Sequence, residues 1–140
     1  MKSEQKEGSV SRLPDAELDI MLVLWKSHDP LKVSDIHAAL QNIRPCSKPA
    51  VHTLIERLGT KDFVRIETVD APTPYKLISP LVKESEYRAS ESDTFVEKLC
   101  RGNWRTLIAT LVDTGKISQD DIDDIAELIR QRAECDAEEN

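Results

Sequence analysis

The sequence is poor in several residue types on which many enzymes and secreted proteins depend. Its 140 residues include only four glycines, three cysteines, and two each of Trp, Tyr and Phe. Scarce glycine disfavours the loops that bind nucleotide phosphates. Cys46, Cys100 and Cys135 lie far apart without a CxxC spacing, which is typical of isolated thiols in a reducing compartment and not of disulfides, a metal site or a redox site.

The sequence also lacks long apolar runs and catalytic motifs. No segment approaches the roughly 18–20 apolar residues of a membrane span, and the N-terminus has no apolar secretory segment. We find no GxSxG, P-loop or HExxH motif, and the three histidines lie in separate segments without ligand spacing. These absences predict a soluble, cytoplasmic protein that is not an enzyme, needs no cofactor or metal and has no membrane partner.

Charge is distributed unevenly along the chain. The net charge is −7, yet residues 1–82 hold eleven basic and eleven acidic residues, whereas residues 83–140 hold eight basic and fifteen acidic residues. All of the net negative charge therefore lies in the second part. This asymmetry indicates two different tasks on one chain.

Helical periodicity dominates the first part, after a polar segment at residues 1–12 that we predict to be a mobile tail. Three helices are predicted, and each carries apolar residues at i, i+3, i+4 and i+7. The first helix, residues 14–27, has them at Leu18, Met21, Leu22 and Trp25; the second, capped by Ser34, at Ile36, Ala39, Leu40 and Ile43; the third, capped by Ser47, at Val51, Leu54, Ile55 and Leu58.

A period of two follows the third helix. Val64, Ile66 and Thr68 alternate with charged residues, residues 70–74 form a turn, and residues 75–77 form a second strand, so the pattern predicts a β-hairpin. Three helices followed by a hairpin are the order of a winged helix-turn-helix domain, which we assign to residues 13–80. In such a domain the third helix enters the major groove of DNA.

Three further helices are predicted in residues 81–134, before an acidic tail at residues 135–140. Ser79 and Pro80 are expected to start the first of them, and Ser118 with Asp121 resembles a capping box that starts the last. The predicted fold class is therefore mainly α with a small β-hairpin: a winged helix-turn-helix domain and a C-terminal helical dimerisation domain.

The apolar stripes of this C-terminal segment need a second surface, because some fifty residues bury little by themselves. A second copy of the chain is the simplest partner, and the resulting homodimer would present two third helices to a palindromic site. Burial within one chain is the alternative that the pattern leaves open. The predicted interface residues are Phe95, Leu99, Trp104, Leu107, Ile108, Leu111, Ile122, Ile125 and Ile129.

Residues 18–25, 51–58 and 61–64 resemble the penicillinase-repressor family, which includes beta-lactamase, methicillin-resistance and copper-responsive repressors. The resemblance extends from about residue 13 to residue 130, and Asp62 stands where the family pattern has glycine. It implies a dimeric winged-helix repressor whose N-terminal part binds a double-stranded DNA operator. It also implies an inactivating protease as a partner, since antibiotic-responsive relatives are cleaved in the dimerisation region.

Several departures from the family pattern bear on that implication. Cys135 stands alone where copper-responsive relatives have a paired CxC hook, which argues against copper sensing. Thr110-Leu111 stands where cleaved relatives have an Asn-Phe bond, which argues against cleavage at this bond. Asp70, Pro72 and Pro74 lie in a turn that is basic in many relatives, and Ala50 and His52 replace more polar or basic residues.

The predicted DNA contacts are Ser47, Lys48, His52, Thr53, Arg57, Lys61, Arg65 and Lys76. Thr53 suits a base edge or a thymine methyl, and His52 suits a phosphate. Arg57 either binds a phosphate or packs its stem over Leu54 with its head on a carboxylate. The alternative function is a protein-interaction module that does not bind DNA. It is favoured by the weak positive charge of the predicted DNA-binding region, since residues 41–79 hold six basic residues against four acidic ones.

Overall fold

A computed structural model describes residues 10–139, with side chains through residue 136, so most of the predicted N-terminal tail lies outside the described residues. The chain forms two compact units, which divide between Ser92 and Asp93. The elements are, in order, α1 (Asp15–Lys26), β1 (Leu31–Lys32), α2 (Val33–Leu40), α3 (Lys48–Thr60), β2 (Val64–Val69), β3 (Tyr75–Pro80), α4 (Glu84–Leu99), α5 (Trp104–Asp113) and α6 (Gln119–Glu139).

The first unit has one apolar core between its helices and its sheet. Helices α1, α2 and α3 pack against one another, and all three also contact the sheet. The fully buried side chains are Ile20, Met21, Leu24, Ile36, Leu40, Val51, Leu58, Phe63 and Ile78. The three predicted helices and the hairpin are confirmed, and together they form the winged helix-turn-helix arrangement.

The sheet contains a short strand that periodicity did not predict. Its three antiparallel strands have the order β1-β3-β2, and Leu31 in β1 pairs with Ile78 in β3. A strand of two residues shows no alternation, so only its pairing partner reveals it. β1 joins the segment between α1 and α2 to the hairpin.

Three predictions about helix ends and faces are wrong. Ser34 does not cap α2, because the helix begins at Val33 and the Asp35 carboxylate accepts a hydrogen bond from the Lys32 N–H. Ile43 lies beyond the end of α2 and is exposed. Leu22 of α1 also faces outward, because this helix is apolar around most of its circumference and its buried face is centred on Ile20 and Leu24.

The region between β3 and α4 also differs from the prediction. Ser79 and Pro80 do not start a helix, because they pair with Arg65 and Val64 as the last residues of β3. The Leu81 N–H then donates to the Phe63 carbonyl, which continues the ladder by one bond. Helix α4 starts at Glu84 instead.

The first part of α4 belongs to the first unit, which therefore extends past the predicted boundary at residue 80. Tyr87 is buried against the rings of Trp25 and Phe63. Its phenolic oxygen accepts a 2.9 Å hydrogen bond from the Leu13 N–H, and the Trp25 indole donates to the Val82 carbonyl. Val10 exchanges two hydrogen bonds with Ser90, so the folded part begins at least at Val10 and not at residue 13.

The second unit consists of the end of α4 with α5 and α6. Asn103 caps α5, and Ser118 and Asp121 form the predicted capping box at the start of α6, with each backbone N–H bonded to the other side chain. Helix α6 continues to Glu139 through most of the predicted acidic tail, because Ala and Glu are strong helix formers. No helix in the described part of the chain is long and apolar enough to cross a membrane.

Helix α3 ends in a Schellman motif that explains the family glycine at position 62. The Phe63 N–H donates to the Leu58 carbonyl and the Asp62 N–H to the Gly59 carbonyl, while Asp62 has a φ of 65°. This left-handed conformation suits glycine and is strained for other residues. Asp62 adopts it because the buried side chains of Leu58 and Phe63 hold both ends of the motif.

We expect Asp62→Gly to stabilise the protein by about 0.5–1 kcal/mol, because relief of the Cβ strain exceeds the greater chain entropy of glycine. Urea denaturation followed by circular dichroism measures this change. Asp62→Ala is the control, and it should destabilise the protein because it keeps the Cβ and because alanine adopts the left-handed conformation less readily than aspartate does. Equal stability of the Gly and Ala variants would contradict this account.

Burial raises the pKa of the Tyr87 phenol, although the hydrogen bond from Leu13 acts in the opposite direction. A group whose pKa is raised by folding stabilises the folded state below its unfolded pKa, about 10 for tyrosine, and this contribution is lost as pH rises through the folded value. The free energy of unfolding should therefore fall above about pH 10.

Tyr87→Phe isolates this effect. It should cost about 1–3 kcal/mol at pH 8, because the buried Leu13 N–H loses its acceptor. The stability difference between wild type and variant should then shrink as pH rises above about 10, as measured by urea denaturation at each pH. A difference that stays constant to pH 11.5 would show that folding does not raise the pKa of the Tyr87 phenol.

Candidate nucleic-acid interface and self-association surface

The turn of the helix-turn-helix is held by polar contacts. The Ser47 hydroxyl accepts a hydrogen bond from the Ala50 N–H and so caps α3 as predicted. His37 of α2 and Gln41, the residue directly after α2, both bond to the carbonyl oxygen of Cys46. These contacts join the turn to α2 and to the start of α3, so they fix the position of α3 relative to α2.

The outer face of α3 is polar and exposed. Val51, Ile55 and Leu58 are buried, and the opposite positions are open to solvent. The exposed residues of this face are Lys48, His52, Thr53, Glu56 and Arg57.

Among the described side chains, the structure shows no carboxylate partner for Arg57, although such a partner is part of one of its two predicted environments. Within the described residues, the Arg57 guanidinium has no ion pair or hydrogen bond, and neither has the Lys48 ammonium. Arg57 is therefore not held by a carboxylate. Both cations are available to a ligand on this face.

The two predicted hydroxyl contacts, Ser47 directly before α3 and Thr53 within it, differ in the hydrogen bonds that they can still form. The Ser47 oxygen is an acceptor in the helix cap, which leaves its proton available to donate. The Thr53 hydroxyl donates to the Pro49 carbonyl at 3.2 Å, which leaves its lone pairs and its methyl group facing outward. Ser47 thus suits a phosphate oxygen, whereas Thr53 suits a base amine or a thymine methyl.

Two basic residues near α3 are already paired with carboxylates of α1. The Lys61 ammonium lies 2.6 Å from the Glu17 carboxylate, whose side chain is only 3% exposed. Arg44 lies 2.7 Å from Asp19, and this hydrogen bond raises the pKa of Arg44 above its ordinary value. Lys61 is thus the one predicted DNA contact whose charge is neutralised in the fold.

Glu17 and Asp19, the carboxylate partners of Lys61 and Arg44, were not predicted from sequence. Glu17 lies one turn before Ile20 on the buried face of α1. An acidic residue among the apolar residues of this face was the one sequence feature that could have indicated a buried ion pair. The pattern alone does not identify Lys61, which is 44 positions away. Only the folded chain brings the two together.

Arg65 and Lys76, the predicted contacts on the hairpin, project from opposite faces of the sheet. Arg65 pairs with Ser79, whereas Lys76 pairs with Thr68, and successive residues in a strand alternate between faces. Both are exposed and unpaired among the described side chains. The hairpin therefore offers one of these cations on each side.

The predicted interface residues of the second unit are at least partly exposed. Between residues 93 and 136, Cys100 is the one described side chain that is buried. Leu99 is 69% exposed, Trp104 56% and Ile129 64%, and Phe95, Ile122 and Ile125 are also exposed. Leu107, Ile108 and Leu111 are partly buried. Val112 and Leu128, which we did not predict, add to this exposed apolar surface.

Comparison with known proteins gives a consistent result over most of the chain. The sequence profile described as penicillinase repressor matches residues 13–131. The chain is 25% identical over 128 residues to the methicillin resistance regulatory protein MecI of Mammaliicoccus sciuri, which covers 90% of this chain and 99% of that protein. It is 20% identical over 122 residues to the penicillinase repressor of Bacillus licheniformis, covering 87% and 92% of the two chains.

Among solved structures, the chain resembles the DNA binding domain of the repressor BlaI, with a TM-score of 0.46 and 24% identity over 56% of this chain and 92% of that one. The family profile, by contrast, spans both units described above. This chain is therefore a member of the penicillinase repressor family.

Proposed function

We propose that the protein is a sequence-specific DNA-binding transcriptional repressor that acts as a homodimer on a palindromic operator. The observation that carries this proposal is the exposed polar face of α3, where Lys48 and Arg57 have no partner among the described residues. MecI and the penicillinase repressors, which are regulatory proteins by name, are similar to this chain over both of its units. The exposed apolar residues of the second unit support self-association.

In the proposed complex, the residues of the first unit divide into three roles. Lys48, Arg57, Arg65 and Lys76 contact phosphates, Ser47 and His52 add further phosphate contacts, and Thr53 contacts a base. Lys61 instead neutralises Glu17, because a nearly buried carboxylate without its counter-charge is costly.

Salt dependence tests the phosphate contacts. Four unpaired cations in each protomer neutralise about eight phosphates per dimer, which predicts a slope of log affinity against log salt near −7. Lys48→Ala and Arg57→Ala should each reduce the magnitude of this slope by about 2 and weaken binding to specific and random duplexes alike. Fluorescence anisotropy measures both, with a labelled duplex from the region upstream of the protein's own gene and a random duplex of equal length.

Arg44→Ala is the matched control for these variants, since it removes one positive charge that Asp19 already neutralises. The slope should not change. Thr53→Ala should leave the slope unchanged as well, but should reduce discrimination between the two duplexes by about 1–3 kcal/mol per half-site. Absent or salt-independent binding by the wild type would reject the repressor proposal in favour of a protein-interaction module.

Self-association is tested in the second unit. We expect sedimentation at micromolar concentration to show a dimer and Ile129→Glu to yield monomers, because the new charge must be buried in the interface. Since Ile129 is 64% exposed within one chain, the variant protomer should keep its helical circular dichroism. Gln131→Glu adds the same charge to the same helix two residues away and should remain dimeric. A monomeric wild type would overturn the homodimer.

We do not extend the proposal to an inactivating protease. Thr110-Leu111 is not an Asn-Phe bond, and it lies inside helix α5. The Thr110 hydroxyl also donates to the Thr106 carbonyl one turn earlier. A protease would have to unwind this helix before it could bind the bond in an extended form.

A further inference from the structure

The hairpin turn at residues 70–74 carries no basic residue of its own. It contains Asp70 and two prolines. We call β2, this turn and β3 together the wing. The predicted cations of the wing therefore lie on its strands and not in its turn. Lys76 lies next to the turn on the face that also carries Thr68. Arg65 lies at the far end of β2, so the other face lacks a strand cation near the turn.

Lys32 of β1 supplies a positive charge to that other face. It pairs with Leu77 of β3, which places it on the same face as Tyr75, two residues along the strand. The Lys32 ammonium lies 4.5 Å from the centre of the Tyr75 ring, a cation–π contact that holds it beside the wing. Tyr75 pairs with Val69 directly before the turn.

The Lys32 ammonium is also free to bind an anion. Among the described residues no carboxylate pairs with it, in contrast to Lys61 and Arg44. The Asp35 carboxylate bonds to the Lys32 backbone N–H, so the cap of α2 does not use the side chain. A contact with an aromatic ring leaves the ammonium protons on the side away from the ring available to donate.

We propose that Lys32, positioned by Tyr75, binds a DNA phosphate and forms with Lys76 a pair of cations on opposite faces of the wing. A hairpin with one ammonium on each face near its tip fits between two phosphate backbones, one on each side. The two cations compensate for the acidic, proline-containing turn. This inference rests on the proposed DNA-binding function and adds a contact contributed by a strand outside the hairpin.

The test is the salt dependence of binding to the duplex from upstream of the protein's own gene. With Lys32 as a fifth phosphate contact in each protomer, the slope of the wild type should be about −9 instead of about −7. Lys32→Ala should reduce the magnitude of the slope by about 2 per dimer and weaken binding roughly tenfold at low salt. Lys116→Ala, in the second unit, is the matched control and should leave both unchanged. Because the cap of α2 uses only the backbone of Lys32, Lys32→Ala should melt within a few degrees of the wild type.

Two Tyr75 variants separate positioning from simple charge. Tyr75→Phe keeps the aromatic face and should bind DNA as the wild type does, whereas Tyr75→Leu should lose about half of the Lys32 effect. Tyr75→Leu in a Lys32→Ala background should add no further loss in affinity. Additive losses, or losses in both Tyr75 variants, would overturn the positioning role.

Failure of this inference differs from failure of the proposed function. If Lys48→Ala reduces the slope and Lys32→Ala does not, the protein binds DNA but Lys32 only supports the sheet, and the inference is wrong. If neither variant changes a slope near zero, the protein does not bind DNA by its cations and both proposals fall. A reduced slope in both variants, with no change in Lys116→Ala, supports both.

Discussion

The ion pair between Glu17 and Lys61 is the contact on which the organisation of the first unit most depends. A carboxylate that is 3% exposed needs a counter-charge, and the ammonium 2.6 Å away supplies it. The pair links the first turn of α1 to the residue that ends α3, directly before the Schellman motif at Asp62. The position of the outer face of α3 is therefore tied to α1 by charge as well as by apolar packing.

Ion pairing with α1 also determines which basic side chains remain unpaired and able to bind a ligand. Of the six basic residues between positions 41 and 79, two, Lys61 and Arg44, are neutralised by carboxylates of α1. The remaining four lie on the outer face of α3 and on the hairpin. Since unpaired cations release counter-ions from DNA and paired ones do not, the paired residues are internal controls for the free ones.

Periodicity predicted the elements with long apolar patterns and failed where tertiary contacts decide. The stripe at Val51, Leu54, Ile55 and Leu58 located α3 and its outer face correctly, because the other side of that helix is strongly polar. The buried face of α1 was misplaced, since a segment apolar on most sides gives no preferred direction. Ser79 and Pro80 resemble a helix start locally, yet pairing with β2 keeps them in a strand.

The predicted site shows the same difference between local patterns, which the sequence reveals, and tertiary contacts, which it does not. Residue type and spacing identified the exposed cations of α3, but not that Lys61 is neutralised by a residue 44 positions away or that Lys32 stacks on Tyr75 across the sheet. Long-range contacts of this kind leave no periodic trace in one sequence.

The second unit shows how apolar content and burial can disagree within one chain. Large apolar side chains on α4, α5 and α6 follow helical spacing, yet in the described part of this unit Cys100 alone is buried. Each such side chain contributes about 1.5–3 kcal/mol when it is fully removed from water, so this surface is a substantial unused source of free energy in a single protomer. In the proposed dimer a covering surface of matching shape would stabilise these helices, and the net negative charge of the chain beyond residue 82 would disfavour contact between this surface and DNA.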